Sequence, residues 1–139
     1  MMVELLGDYL DANGTLSFLN LPAPSGDTVG NLFLYDLPEL PDNSVGLLQY
    51  GGTPPTETFG VPLLQEHPRL QVTVRHSDIA TAFSWSYSIM QVLTSIKNQT
   101  IGGVRFLRVR TVSSPFEIGP DAKNLERVMT NYEVSKEMG

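Results

Sequence analysis

A chain of 139 residues suits one domain, residues 1–139, large enough to bury about two thirds of its unfolded surface. Its hydrophobic share of 41% and charged share of 17% belong to a folded, somewhat charge-poor protein, and the absence of cysteine excludes disulfides and thiolate metal sites. The net charge of −6 conceals an imbalance: nine acids and no Lys or Arg lie between Met1 and Pro68, whereas nine basic residues against six acids follow from Arg69.

The N-terminal "MMVELLGDYLDANG" has no basic region before its apolar residues and is interrupted by Asp8 and Asp11, so it does not read as a signal peptide. Val3, Leu5, Leu6, Tyr9 and Leu10 recur at helical spacing and Asn13-Gly14 offers a stop, which predicts a short helix over 2–12. Leu16 to Leu19 reads as a brief strand or turn, and "NLPAPSGDTVGN" from Asn20 to Asn31 as loop. Leu32 to Tyr35 is a short apolar strand closed by Pro38 and by Pro41-Asp42-Asn43, and 45–50 gives the next strand.

Tyr50 is followed by Gly51-Gly52, then Thr53 and the stiff Pro54-Pro55, then mostly polar residues as far as Phe59. This reads as a long surface loop, of the kind that in a compact domain is either functional or disordered. Beyond it Leu70, Val72 and Val74 alternate with Gln71, Thr73 and Arg75, which predicts a strand with one buried face. Ser77 is placed as the cap of a helix begun by Asp78, with Ile79, Ala82, Phe83, Ser86, Ile89, Met90, Leu93 and Ile96 in one stripe. Lys97 falls in its last turn and Gly102-Gly103 at its end. Val104 to Val112 is read as a strand with Leu107 and Val109 on one side and Arg108 and Arg110 on the other. Val128, Thr130, Tyr132 and Val134 mark a final strand. The order predicts an α+β fold, a mostly antiparallel β-sheet with one long and one short helix packed on one face. No apolar run approaches the roughly 18 residues that span a bilayer, so no membrane partner is expected.

Chemistry is sparse. His76 and Asp78 would make a metal pair or an oriented base, but no third ligand stands near them, and a strand-end histidine beside a helix cap explains them as well. Gly51-Gly52 and Gly102-Gly103 lack the spacing and the lysine of a phosphate loop, and "SWSYS" lacks the glycines of a nucleophile elbow. No catalytic residue, cofactor site or metal site is therefore expected, and the chain is not read as an enzyme. Arg105, Arg108 and Arg110, interleaved with Phe106, suit a phosphate backbone, a salt-bridged sheet face or an acidic neighbouring subunit. Trp85 and Tyr87 lie off the helix stripe, at an interface or beneath a folded loop. The charge imbalance suits either an evenly solvated surface or one acidic and one basic face meeting head to tail.

Four motifs in order resemble the tailed-phage minor capsid or tail terminator (tail completion) proteins. They are an acidic "LPELPDN" turn, a strand ending "YGGTPP", the alternating "LQVTVR", and "SPFEIGPD" before the "NYEV" strand. The resemblance runs from about Asn31 onward, with Ile118 where the pattern has Leu; "SFLNLPAPSGDTVG" has no counterpart in it. It implies a structural virion protein assembled in the host bacterial cytoplasm. That protein forms a homo-oligomeric ring of six subunits on the completed tail tube, stops its polymerisation and offers a docking surface to the head–tail connector or stopper protein. It further implies that phage DNA passes through without specific binding, and that Tyr50, Gly51, Gly52, Thr53, Pro54, Pro55, Phe59, Trp85, Arg105, Arg108 and Arg110 meet neighbouring subunits or the tube. A different neck or head-completion protein is the nearest alternative; a small ligand-binding module or enzyme using His76 and Asp78 is the remoter one.

Overall fold

A computed structural model describes residues 2–13, 18–19, 30–35, 37, 42–58 and 61–137, the backbone alone for 55–58 and 61–64. Two helices, α1 (Met2–Ala12) and α2 (Ile79–Thr94), pack on one mixed sheet. Its strands are β1 (Leu32–Leu34), β2 (Ser44–Thr58), β3 (Val61–His76), β4 (Lys97–Ile101), β5 (Val104–Thr111), β6 (Phe116–Glu117) and β7 (Glu126–Glu137). They run β1-β2-β3-β7-β5-β4, with β6 also paired to β7; every pairing is antiparallel except β1 with β2. The predicted α+β class and the placement of both helices therefore hold.

The inner face of the sheet sets the core. On β7 Val128, Thr130, Tyr132, Val134 and Lys136 are buried while each residue between them is half exposed, the period of a strand with one covered face. Val45, Leu47, Leu70, Val72 and Val74 continue that face across β2 and β3, and α2 lays Ala82, Ser86, Ile89 and Leu93 against it. Helix α1 adds Met2, Val3, Leu6 and Leu10 to the same core. Each such aliphatic side chain stabilises the fold by roughly 1.5–3 kcal/mol through its removal from water. Helix α1 contacts β1 and β2 at one sheet edge and β4 at the other, so the sheet curls around it.

Four sequence expectations change. The first concerns the supposed loop after Tyr50, which is strand: β2 runs on to Thr58 and turns back into β3 as a hairpin arm. Glycine and proline signal a loop, yet here they occupy two bulges. Tyr50 pairs with Arg69 and Gly52 with Pro68, which leaves Gly51 extra; Thr53 pairs with His67 and Thr56 with Gln65, so Pro54-Pro55 oppose a single residue. Gly51 and Gly52 take φ of 38° and 124°, which a glycine adopts without steric cost. Neither proline forfeits a ladder bond at a bulge.

The other three corrections lie in the second half. Asp78, not Ser77, caps α2: its carboxylate accepts from the Thr81 N–H at 3.3 Å and from the Thr81 hydroxyl at 2.6 Å. The helix ends at Thr94, and Lys97 to Ile101 is a strand the helical stripe had absorbed, because Ile96 is buried beyond the helix end. Gly102-Gly103, at φ 57° and 81°, is then a two-residue hairpin turn between β4 and β5 rather than a helix stop. Finally Phe106 and Val109 are the buried residues of β5, three apart, because a register shift between Phe106 and Arg108 puts Leu107 out of phase.

Gly52 tests the arm's geometry. A Cβ there would stand 2.3 Å from the His67 carbonyl oxygen, a backbone atom that cannot swing aside. Gly52→Ala is expected to destabilise the protein by about 1–3 kcal/mol, read as a lower urea midpoint at constant slope. Gly103→Ala has an open position by the same geometry and bears only the φ strain, so an equal or larger loss there would contradict the account.

Candidate assembly interface

With both helices on the inner face, three surfaces remain for function: the outer face of the sheet, the hairpin arm and the β4 edge. The outer face is organised in rows, because register places one residue from each strand side by side. One row reads Tyr50, Arg69, Glu133, Arg110 across β2, β3, β7 and β5. Arg110 grips Glu133 from Nη2 to both carboxylate oxygens at 3.1 Å and from Nε to Oε1 at 3.3 Å. That grip, with the charges of Arg110, Arg69 and His67, holds the Glu133 carboxyl below the usual carboxylate range against a smaller opposing effect of burial. His67 Nδ1 lies 3.2 Å from Ser135 Oγ on the same side.

The neighbouring row reads Leu48, Gln71, Asn131, with the Val112 N–H bonded to the Asn131 carbonyl, and beyond it Phe116 pairs with Met129. Leu48, Val112 and Phe116 are three of the five exposed large hydrophobic residues found among those described. Leu48 and Val112 thus stand at the two ends of this row with the polar Gln71–Asn131 pair between them, and Phe116 lies beyond Val112 beside Met129.

The arm leaves the sheet at the end where β7 stops. Gln65 still pairs with Glu137, but from Thr58 and Val61 to that point the two legs pair, among the described residues, only with each other, about 13 Å of ribbon. Gly51, Gly52, Thr53 and Pro54 are exposed and Tyr50 half-buried on the β2 leg, which at these positions still lies beside the part of β3 that pairs with β7; Phe59 lies outside the described residues. At the arm's base Lys136, though 4% exposed, points to the inner face and is held by the Glu66 carboxylate opposite it on β3. A buried ammonium without that partner would cost several kcal/mol, so the pair anchors the root of the arm.

Trp85 lies elsewhere. Its ring stacks on Phe18 at 4.6 Å and meets the edge of His76 at 4.8 Å, so Phe18 covers it; Tyr87 is an exposed aromatic of α2. His76 accepts the Asp78 N–H on Nδ1 at 2.9 Å, which leaves the ring proton on Nε2. Burial holds its pKa low, the charge of Asp78 opposing. The Asp78 carboxylate is occupied with Thr81, so the two residues build a helix entrance rather than a converging site. No group of three metal-ligating side chains occurs among the described residues.

The charge imbalance of the sequence partly cancels in space. Asp42 pairs with Lys123 at 3.5 Å and its carbonyl accepts from Arg75 Nε at 3.0 Å, while Glu66 takes Lys136. Arg105 and Arg108 are exposed on β5 opposite Thr100 and Lys97 of β4. Lys97 belongs to β4 and not to the last turn of α2, so its place opposite Arg108 follows only from sheet register. The same holds for Val112 and Phe116, which come to lie along β7 only through pairing.

Glu133 carries a pH prediction. Its folded pKa is lowered from 4.5, so its contribution is present above that value and is lost as pH falls through the folded pKa. Glu133→Gln should cost up to about 1 kcal/mol at pH 7, with the difference from wild type shrinking once pH falls below 4.5 in denaturant titrations. A difference constant from pH 7 down to about 2 would contradict this assignment.

A family model described as "Bacteriophage tail terminator protein" matches residues 9–138. Among solved structures, a chain of the virion of a native gene transfer agent particle superposes with a TM-score of 0.64 at 12% identity. The match covers 96% of this chain and 92% of that one, and is a likeness of fold. No curated protein matches the sequence.

Proposed function

This chain belongs to the bacteriophage tail terminator family and is a structural protein of the virion tail, and from that premise we propose that it closes the finished end of the tail tube as a ring of six copies. The ring halts addition of tube subunits and presents a docking surface to the head–tail connector or stopper protein. It is put together in the host cytoplasm and performs no catalysis. The observation that carries this reading is the hairpin arm. It is a β-ribbon that continues the β2–β3 pairing beyond Gln65, the last β3 residue paired with β7 among those described; its β2 leg, still within the sheet, is exposed along 51–54 and stiffened by Pro54-Pro55, and its root is tied by the Lys136–Glu66 pair. A stiff projection loses little conformational entropy when it meets a partner, which suits a contact repeated around a ring. The arm, with Tyr50 and Phe59, reaches a neighbouring subunit or the tube, and Arg105, Arg108 and Arg110 form a second contact on the opposite side of the sheet. Contact between such unlike surfaces is heterologous and closes into a ring when the rotation allows. A net charge of −6 per copy gives six copies about −36, and acids lining a lumen would let DNA pass without adhering.

Tails assembled with and without the protein test this by electron microscopy. Tails of fixed, native length are expected with it and over-long, unjoined tails without it; fixed-length tails in its absence would contradict the reading. The arm is tested by replacing 57–64 with a two-residue Asn-Gly turn, which keeps the Gln65–Glu137 and Glu66–Lys136 pairings. This variant should melt like the wild type and fail to complete tails. A trimmed protein that completes virions at wild-type yield would remove the arm from the mechanism.

A further inference from the structure

Most of the nine basic side chains are engaged within the fold. Arg75 and Lys123 are bonded around Asp42, Arg127 donates to the Gly119 and Pro120 carbonyls, Lys136 holds Glu66, Arg110 grips Glu133, and Arg69 lies in the field of that same carboxylate. Lys97, Arg105 and Arg108 make no ion pair or side-chain hydrogen bond among the described residues, and all three are exposed on the β4–β5 hairpin. Lys97 stands directly opposite Arg108 across the two strands, and like charges so placed destabilise a hairpin. Lysine and arginine side chains carry donors and no acceptor, so this hairpin has a use for acceptors that its own fold does not bring to it. Helix α1 reaches β4 at the turn end, where Leu5 lies against Gly102, and leaves Lys97 exposed at the other.

The arm has the complementary chemistry. From Thr53 to Leu64 its sequence holds no Lys, Arg or His, and Pro54, Pro55 and Pro62 keep their carbonyls but have no N–H. Its backbone therefore offers more acceptors than donors. Past Leu47 the β2 leg has no strand on its other side among the described residues, and neither has β4. Register fixes where these two open edges stand. Thr53 pairs with His67, whose Nδ1 lies 3.2 Å from Ser135 Oγ; Ser135 pairs with Arg108, and Arg108 with Lys97. Thr53 and Lys97 are thus the two ends of one row, at the same height along the strands and on opposite edges of the sheet. A ring whose axis runs along the strands keeps that height from copy to copy, and sets the β2 edge of each beside the β4 edge of the next. We infer that the β2 leg of one copy, from Thr53 onward, lies along β4 of the adjacent copy, where Lys97, Arg105 and Arg108 donate to its backbone carbonyls. The inference rests on the ring-forming role proposed above and makes the arm and the basic hairpin the two halves of one contact.

Cross-linking tests it, because the sequence has no cysteine and thiols can be placed singly. Thr53→Cys/Thr100→Cys uses two exposed positions and leaves all three cations in place. On assembled tails a bis-maleimide linker is expected to join this variant into a covalent ladder of copies, and either substitution alone to give only monomer. Capped tails whose doubly substituted protein stays monomeric overturn the inference, as do dimers from Thr53→Cys alone. Independently, Arg105→Gln/Arg108→Gln should lower the fraction of native-length tails at least about tenfold at a melting temperature near wild type; capping at the wild-type level overturns the inference. So does a missing ladder together with wild-type binding to a labelled DNA duplex that the arginine variant loses, which would assign the patch to nucleic acid. Should one variant fail to fold, the other decides. A closed ring without the cross-link leaves the terminator role standing and removes only this contact, whereas wild-type protein that fails to cap tails brings down that role itself.

Discussion

Burial on one side of β7 is the constraint from which the other features follow. This strand lies between β3 and β5, and its inward residues from Val128 to Lys136 are covered by α2 and by the curl of the sheet. A sheet with both helices on one face has committed its apolar side chains to that face and left the other uncovered. The outer surface is then a set of rows fixed by register, ionic in one and, in the next, polar at the centre with apolar residues at its ends. Its position relative to the core is rigid, since a slip of one residue would exchange the two faces.

The same constraint explains the arm. Strands β2 and β3 are longer than β7, and beyond the Gln65–Glu137 pairing their backbones pair only with each other among the described residues. Before that point two bulges and two prolines break the regular row of donors along the β2 leg, the usual protection of an edge strand against indiscriminate pairing. Lys136 and Glu66 tie its root. An ion pair in so covered a position adds little net stability, but it fixes the register at the point where the ribbon departs from the sheet.

Much of this was legible in the sequence where a single period governs a segment. Helix α1, strand β1 and the alternation of β7 follow directly from apolar spacing, and the resemblance to tail terminators agrees with the family match. What was illegible depended on partners distant in sequence. Gly51-Gly52 and Pro54-Pro55 read as loop because their local signals are those of a loop, and only pairing with Arg69, Pro68, His67 and Gln65 makes them bulges. Lys97 to Ile101 read as helix because Ile96 is apolar and in phase. Leu107 read as buried because the β5 bulge is set by β7. For the surface, Arg105 and Arg108 were visible as a cluster, whereas the opposition of Arg108 to Lys97 and the placing of exposed Val112 and Phe116 along β7 exist only once strands are placed side by side.

A protein that works through its arm and sheet edges, with its inner face filled by its own helices, should be found joined to copies of itself. The most direct measurement is a reconstruction of the tail end of completed virions by electron cryomicroscopy. The account predicts a closed ring of this chain seated on the last tube layer, with each arm against a neighbour or the tube and each β4 edge facing the next subunit. A single copy at the neck, or a ring whose arms and β4 edges both face solvent, would contradict it.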